Sequence, residues 1–335
     1  MADLDIDVCN VRPAFEASLA AGVPEGELQS RLGWTCDLMA TDGATVSGES
    51  TCAHMAWMAE RPDYAAFVLD AVERHTAASL GVVGLACKTA ATAGEAMARH
   101  GRYQSLTNRT ARYDARLQAD TLCLEETRFG PPTDGARRLS DYTILVAVQM
   151  LRILLGPDVP IVGLRSRRDA LSSDERAAWE GWAKAPIETG HDKAALLCPA
   201  LLVARPLASH DRELSAYFDR MLERTAPAAS ELGWTAKVRA AIERRLADGT
   251  PTTQSVAREL GIGARSLARR LDEDDETFGA LLTDVRQQRA RRLLADPAVT
   301  QAEVAFLLGY RDQASFHRAF RKWFGTTPSL FRRGL

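Results

Sequence analysis

Arg265, Ser266, Ala268 and Arg269 stand in one basic segment near the C-terminal end of the chain, and Gln313, Ser315, His317, Arg318 and Arg321 in another. Guanidinium, amide, hydroxyl and imidazole groups of this kind hydrogen-bond nucleic-acid base edges and phosphates, and Arg can pair with guanine through two bonds. Arg269 and Arg318 hold equivalent offsets, two residues beyond Leu267 and Phe316, in the pattern Leu/Phe-x-Arg-x-Leu/Phe. His317 could be taken for a general base, but in this setting a base edge or phosphate is its better partner.

Such side chains need helices to aim them, and the sequence writes the same positioning device twice. The first copy is TTQSVARELGIGARSLARRL and the second TQAEVAFLLGYRDQASFHRAF. Each has a small residue on a first helix, Ala257 or Ala305, then a glycine four positions on, Gly261 or Gly309. In a helix-turn-helix the small residue lets the helices cross closely and the glycine supplies the positive φ of the turn. Helical spacing turns Val256, Leu260, Leu267 and Leu271 inward in copy one, and Val304, Leu308, Phe316 and Phe320 in copy two. That leaves the basic and polar residues named above on or near the open side of each second helix. Thr300 with Glu303 forms a capping box, and Asp312 sits where an N-cap belongs. One such pattern occurs by chance in many helical hairpins. Two in tandem, with Ala257 and Ala305 separated by 48 positions and a helix at 278–295 between them, are far more specific.

The segment from about Ala236 onward resembles the DNA-binding domain of AraC-type (AraC/XylS) transcriptional regulators, most closely in EVAFLLGYRDQASFHRAFRKWFGTTPSLFRR and DVRQQRARRLLAD. The N-terminal part is more loosely similar to the so-called arabinose-binding domain of one subgroup, a name that implies no sugar ligand. The resemblance implies an α+β N-terminal effector-binding and dimerisation domain (1–225) and a linker (226–234). It implies an all-α DNA-binding domain (235–335) holding helix-turn-helix 1 (252–271), a linker helix (278–295) and helix-turn-helix 2 (301–324). Its partners would be double-stranded promoter DNA, a small-molecule effector of unknown identity, RNA polymerase as the target of activation, and a second copy of the chain. No cofactor is implied. Family members more often carry a glycine where this chain has Asp275, inside the acidic run DEDDE (272–276). That run would repel phosphate if it faced DNA, so it is expected either to face away or to limit non-specific binding.

Composition agrees with two domains. The chain has 335 residues, 46% of them hydrophobic, enough for two cores. The net charge of −2 hides an asymmetry: from Thr235 onward there are 18 Lys/Arg against 12 Asp/Glu, and before it 24 against 32. A basic module on an acidic body suits a protein that touches DNA with one end. All six cysteines (Cys9, Cys36, Cys52, Cys87, Cys123, Cys198) are scattered through the acidic part. The start MADLDIDVCN lacks an apolar signal region, and the most apolar run, YTILVAVQMLRILL, is short and broken by Gln149 and Arg152, so a reduced, cytoplasmic protein with no membrane span is expected.

Along the first domain, helical patterns give way to two alternating strands, 110–118 and 121–127, joined by a turn near Ala119–Asp120. A helix follows at 140–155, apolar nearly all round, then a strand at 160–165, a helix capped by Ser172 and Glu175, a strand and turn at 196–207, and a helix at 211–225. No ligand motif marks an effector site. Arg109, Arg112 and Arg116 could face an acidic effector or simply be solvated strand residues, and Trp179 and Trp182 could wall a pocket or pack the core. Cys52-x-His54 with His75 and His100 lacks the close ligand pairs of structural zinc sites, so no metal is expected. The alternative from another class is a DNA-alkyl acceptor repair enzyme, which also carries an AraC-like module. It needs a Pro-Cys-His-Arg nucleophile or a four-cysteine zinc site, and Cys198–Pro199 has the reverse order with neither His nor Arg following.

Overall fold

The computed structural model of the chain describes residues 4–118, 120–225, 234–246, 249–272, 276–295 and 299–333. It divides into two compact units, 1–226 and 227–335. Most of the linker expected at 226–234, the central part of the DEDDE run and Ala119 of the expected turn lie outside the described residues.

In the first unit, strands β1 (Asp5–Asp7) and β2 (Thr45–Ser47) pair antiparallel around helices α1 (Val8–Ala20), α2 (Glu25–Leu32) and α3 (Cys36–Ala40). Helices α4 (Gly48–Met58), α5 (Tyr64–Glu73), α6 (Gly81–Lys88) and α7 (Ala93–Tyr103) follow. The main sheet is built from β3 (Ala111–Gln118), β4 (Thr121–Arg128), β5 (Gly163–Arg165), β6 (Ile187–Glu188) and β7 (Ala194–Pro199), in the order β3-β4-β7-β5-β6. Among the described strands of this sheet only β5 and β6 pair parallel. Helices α8 (Asp134–Leu155), α9 (Ser173–Ala183) and α10 (Arg212–Thr225) complete this α+β unit.

Helix α8 is central, with residues from Gly135 to Leu155 buried on several faces. It begins six residues before the expected start at Ser140, because Thr133 caps it by accepting from the Ala136 N–H at 3.1 Å. Within it Gly135 is a contact point. A Cβ there would lie 2.1 Å from the Cys52 carbonyl oxygen, so glycine is what lets α8 approach α4. Helix α9 carries the expected capping box, and its Glu175 also accepts two bonds from Arg168, at 2.7 and 2.9 Å. The stretch expected as a strand and turn at 196–207 forms β7 and a short 3-10 segment, Ala200–Ala204. The short pair β1 and β2 had no readable alternation, being three residues each.

The second unit is helical: α11 (Trp234–Arg245), α12 (Thr253–Glu259), α13 (Ala264–Asp272), α14 (Phe278–Ala295), α15 (Gln301–Leu307), α16 (Gln313–Phe324) and α17 (Pro328–Arg333). Trp234, assigned to the linker by sequence, opens α11 instead, and its ring lies under the guanidinium of Arg270 at 4.1 Å. Two small cores form. Val238, Ile242, Val256, Leu267 and Leu271 build one, and Val304, Leu308, Phe316 and Phe320 the other. Helix α14 serves both, giving Leu281 and Val285 to the first and Ala290 and Leu294 to the second. At about 1.5 Å per residue this helix spans roughly 27 Å.

Candidate nucleic-acid interface

The two helix-turn-helix turns are built alike. In each, the glycine has a left-handed backbone, φ +71° at Gly261 and +69° at Gly309. Gly261 N–H donates to Arg258 O and Ile262 N–H to Ala257 O; Gly309 N–H donates to Phe306 O and Tyr310 N–H to Ala305 O. This paired arrangement satisfies the last carbonyls of the first helix and stops it where the turn must begin. Ala257 and Ala305 are buried at the helix crossings, and Leu267 and Phe316 are wholly buried, locking each second helix to its partner. The second turn is one residue longer, as the sequence spacing requires.

Locked this way, α13 exposes Arg265, Ser266, Ala268 and Arg269. Helix α16 exposes Gln313, Arg318 and Arg321 and leaves Ser315 and His317 half-buried. Its N-terminus is fixed by Asp312, which accepts from the Ser315 N–H at 2.6 Å and from the Ser315 hydroxyl at 3.1 Å. Those bonds hold the Asp312 carboxyl below its ordinary pKa. The Ser315 hydroxyl in turn accepts from Arg318 Nη2 at 2.9 Å, so the residue positions Arg318 as much as it presents itself. Gln313 Nε2 and His317 Nε2 lie 3.3 Å apart on the same face.

Several basic residues of this unit are committed to the scaffold. Arg239 pairs with Asp284, while Arg244 and Arg245 bracket Glu259 at 2.7 and 3.0 Å. Arg270 stacks on Trp234, and Arg291 lies 4.9 Å over Phe324, where burial pushes its pKa down to about 10. Arg286 stacks on Tyr310 at 4.4 Å and donates to the Leu308 carbonyl at 2.9 Å, closing the end of α15. Arg332 donates to the carbonyls of Leu294 and Val299, at 3.0 and 2.6 Å. Counting charges in the sequence missed this division. Exposed Arg258 and Lys322, which sequence reasoning left unassigned, sit on α12 and α16 of the two motifs and add to their positive charge.

In the first unit the effector candidates separate. Arg112 pairs with Asp114 at 2.9 Å and Arg116 with Glu125 at 3.5 Å. Trp179 is core, its indole N–H donating to Ala65 O at 3.2 Å, and Trp182 donates to Glu73 at 2.8 Å. His54 is buried against Ser18 at 2.8 Å. Cys198 is buried in β7, and burial pushes its thiol up to about 12, far from a reactive thiolate. The unit does hold a partly open cavity of about 170 Å³, lined from α1, α4, α7, β3 and α8 among others. None of Arg109, Arg112, Arg116, Trp179 or Trp182 lines it. No sequence signal could have found it, since its wall is assembled from residues scattered between Ile6 and Leu154.

A tandem pair of helix-turn-helix motifs on one connecting helix, following an α+β unit, defines a DNA-binding regulator. Residues 22–207 match the arabinose-binding domain of AraC transcription regulators, and residues 256–334 match a helix-turn-helix domain. The chain belongs to the AraC family of transcription regulators. It is 26% identical to the HTH-type transcriptional regulator VirS of Mycobacterium tuberculosis over 262 residues, 76% of this chain and 74% of that one. Against the HTH-type transcriptional regulator VqsM of Pseudomonas aeruginosa it is 24% identical over 263 residues, 75% of this chain and 79% of the relative. Among solved structures, the transcriptional regulator CdpR of Pseudomonas aeruginosa aligns over 97% of this chain and 98% of its own, at 22% identity and a TM-score of 0.47. The protein is a transcriptional regulator and not an enzyme, so the alkyl-acceptor alternative is set aside. Among the described residues no helix is long and apolar enough to cross a membrane.

Proposed function

We propose that the chain is a one-component promoter-binding regulator that reads DNA with α13 and α16 and is controlled by a small molecule held in its first unit. The observation that carries this reading is the sorting of arginines. Arg239, Arg270, Arg286, Arg291 and Arg332 are bound into the scaffold and Arg244 and Arg245 pair with Glu259, whereas Arg265, Arg318 and Arg321 stand exposed on the second helices, with Arg269 at the position equivalent to Arg318. On this reading Arg269 and Arg318 reach base edges, Ser266, Ala268, Gln313 and His317 line the groove, and Ser315 braces Arg318. Arg265 and Arg321 add backbone or base contacts.

The cavity in the first unit supports effector control, and the family resemblance supports a homodimer and activation through RNA polymerase. The protein acts on the chromosome, in the cytoplasm. Selection of bound genomic fragments by the full-length chain, followed by mobility shift with and without cell extract, tests DNA recognition and effector response together. Fragments enriched no better than random DNA would overturn the reading.

A further inference from the structure

The lining of the first unit's cavity limits what it can hold. Its wall is mostly apolar and includes Val11, Met55, Met97, Leu139, Met150 and Leu154. Among the described residues no lysine or arginine lines it, and the one charged residue that does, Asp114, is held by Arg112 at 2.9 Å. An ionised carboxylate placed here would lose its water with no cation to replace it. Two lining histidines do not supply one: burial holds His75 at about 3 and His100 at about 4, so both rings are neutral near pH 7.

The wall is nevertheless not free of hydrogen-bonding groups. His75 Nε2 bonds the Tyr142 hydroxyl at 2.7 Å, but among the described residues His75 Nδ1 has no partner, and neither has Gln104 Oε1. His75, Tyr142 and Gln104 are all nine-tenths or more buried and all line the cavity. A buried polar atom left unpaired is costly, and so is an apolar void, whose cost rises with its volume. Both costs fall when a molecule with an apolar body and one polar group enters. The three methionine side chains, unbranched and polarisable, can settle around different apolar shapes.

We propose that this cavity is the effector site and that it takes a small, uncharged, mainly apolar molecule carrying one hydroxyl-type group that can donate to Gln104 Oε1, of the size of a phenol. Cavities of about 150 Å³ with apolar walls hold benzene, which sets the scale of the occupant. The proposal rests on the effector-controlled reading above and gives it a place and a ligand class. Gln104 and His75 fix the polar end of the ligand, and the α8 and α7 side chains enclose its body.

The test uses the full-length protein with three probes of matched size: phenol, benzoate and benzylamine. Phenol is expected to raise the melting temperature saturably by a few degrees, as a ligand binding only the folded state does. Benzoate and benzylamine are expected to have no effect. Ala147→Phe, which fills the cavity from α8, should abolish the phenol response while retaining DNA binding; Met150→Phe serves the same purpose should the first variant not fold. No response to phenol, an equal or larger response to benzoate or benzylamine, or a phenol response that survives filling would each overturn the proposal. Mobility shift separates the two claims. If phenol binds the cavity without altering promoter affinity, the ligand class stands but the cavity is not the effector site. If a charged metabolite alters promoter affinity while phenol does not bind, effector control stands and this site falls.

Discussion

The Thr250 hydroxyl donates to the Gly309 carbonyl at 2.5 Å, joining the loop before helix-turn-helix 1 to the turn of helix-turn-helix 2. The approach is so close that a Cβ on Gly309 would lie 2.6 Å from the Gly249 carbonyl oxygen. Arg286, from the helix between the two motifs, reaches the same carbonyl at 3.3 Å. Gly309 therefore has two reasons to be glycine, its left-handed backbone and this contact, whereas a Cβ on Gly261 meets nothing within 4 Å.

These two glycines should behave differently on substitution. Gly261→Ala bears only the left-handed penalty, about 1–2 kcal/mol. Gly309→Ala bears that and must also push the 249–250 backbone away, so it should cost clearly more and loosen the relation between the two motifs. Denaturant unfolding of both variants gives the comparison. Equal losses would show that the Gly249 contact carries no weight.

Arg318 and Arg286 provide a second contrast. Arg318→Ala should lose about 1–3 kcal/mol of binding to the cognate site and much less on random DNA, because a base-reading arginine contributes specificity. Arg286→Ala should instead lower the melting temperature, since it uncaps α15 and unstacks from Tyr310. Binding titrations on both DNAs, with unfolding measured in parallel, separate the roles. An equal loss on cognate and random DNA for Arg318→Ala would assign that residue to phosphate.

The first unit should be sensitive to mild acid. Burial holds His54 and His75 at about 3, against 6.5 for an unburied ring. As the pH falls below 6.5 the unfolded chain takes up protons that the folded unit refuses, so stability is lost down to about pH 3, at about 1.4 kcal/mol per pH unit for each ring. Asp141, buried against Ser166 and raised to about 7 from 3.8, acts in the opposite sense. Folded, it keeps its proton, giving stability that is full below 3.8 and lost as the pH rises through about 7. These two rings, joined by His100 held at about 4, outweigh one carboxyl, and the net loss on going from pH 6 to pH 5 should steepen in Asp141→Asn. Chemical denaturation across that range measures it. A flat profile in both proteins would contradict the assignment.

What was legible in the sequence was local. Gly261, Gly309, the Thr300–Glu303 box and the Asp312 cap each act within a few residues, and their spacing exposes them without any knowledge of tertiary contacts. The inward faces through Leu267 and Phe316 follow from helical period alone. Neighbouring arginines were harder. Arg269 and Arg270 are adjacent in sequence, yet a helix rotates each residue by about 100°, which leaves Arg269 exposed and turns Arg270 onto Trp234. The role of Gly135 was not legible, because it depends on the neighbouring α4 backbone. The cavity was invisible for the same reason on a larger scale, its polar residues His75, Gln104 and Tyr142 coming from separate parts of the chain.

The most direct measurement is a footprint of the full-length protein on its selected DNA, with affinities for that site carrying five or ten inserted base pairs. Helix α14, packed into both cores, should hold α13 and α16 about one turn of B-DNA apart. The account predicts two protected major-groove segments per subunit on one DNA face, their centres about 10–10.5 base pairs apart and without inverted symmetry. Binding by one subunit should fail with both insertions, since five base pairs turn one segment away and ten exceed the reach of a rigid helix. A single protected segment, or recovery of affinity at ten base pairs, would contradict the claim that one chain reads DNA with two rigidly joined helix-turn-helix motifs.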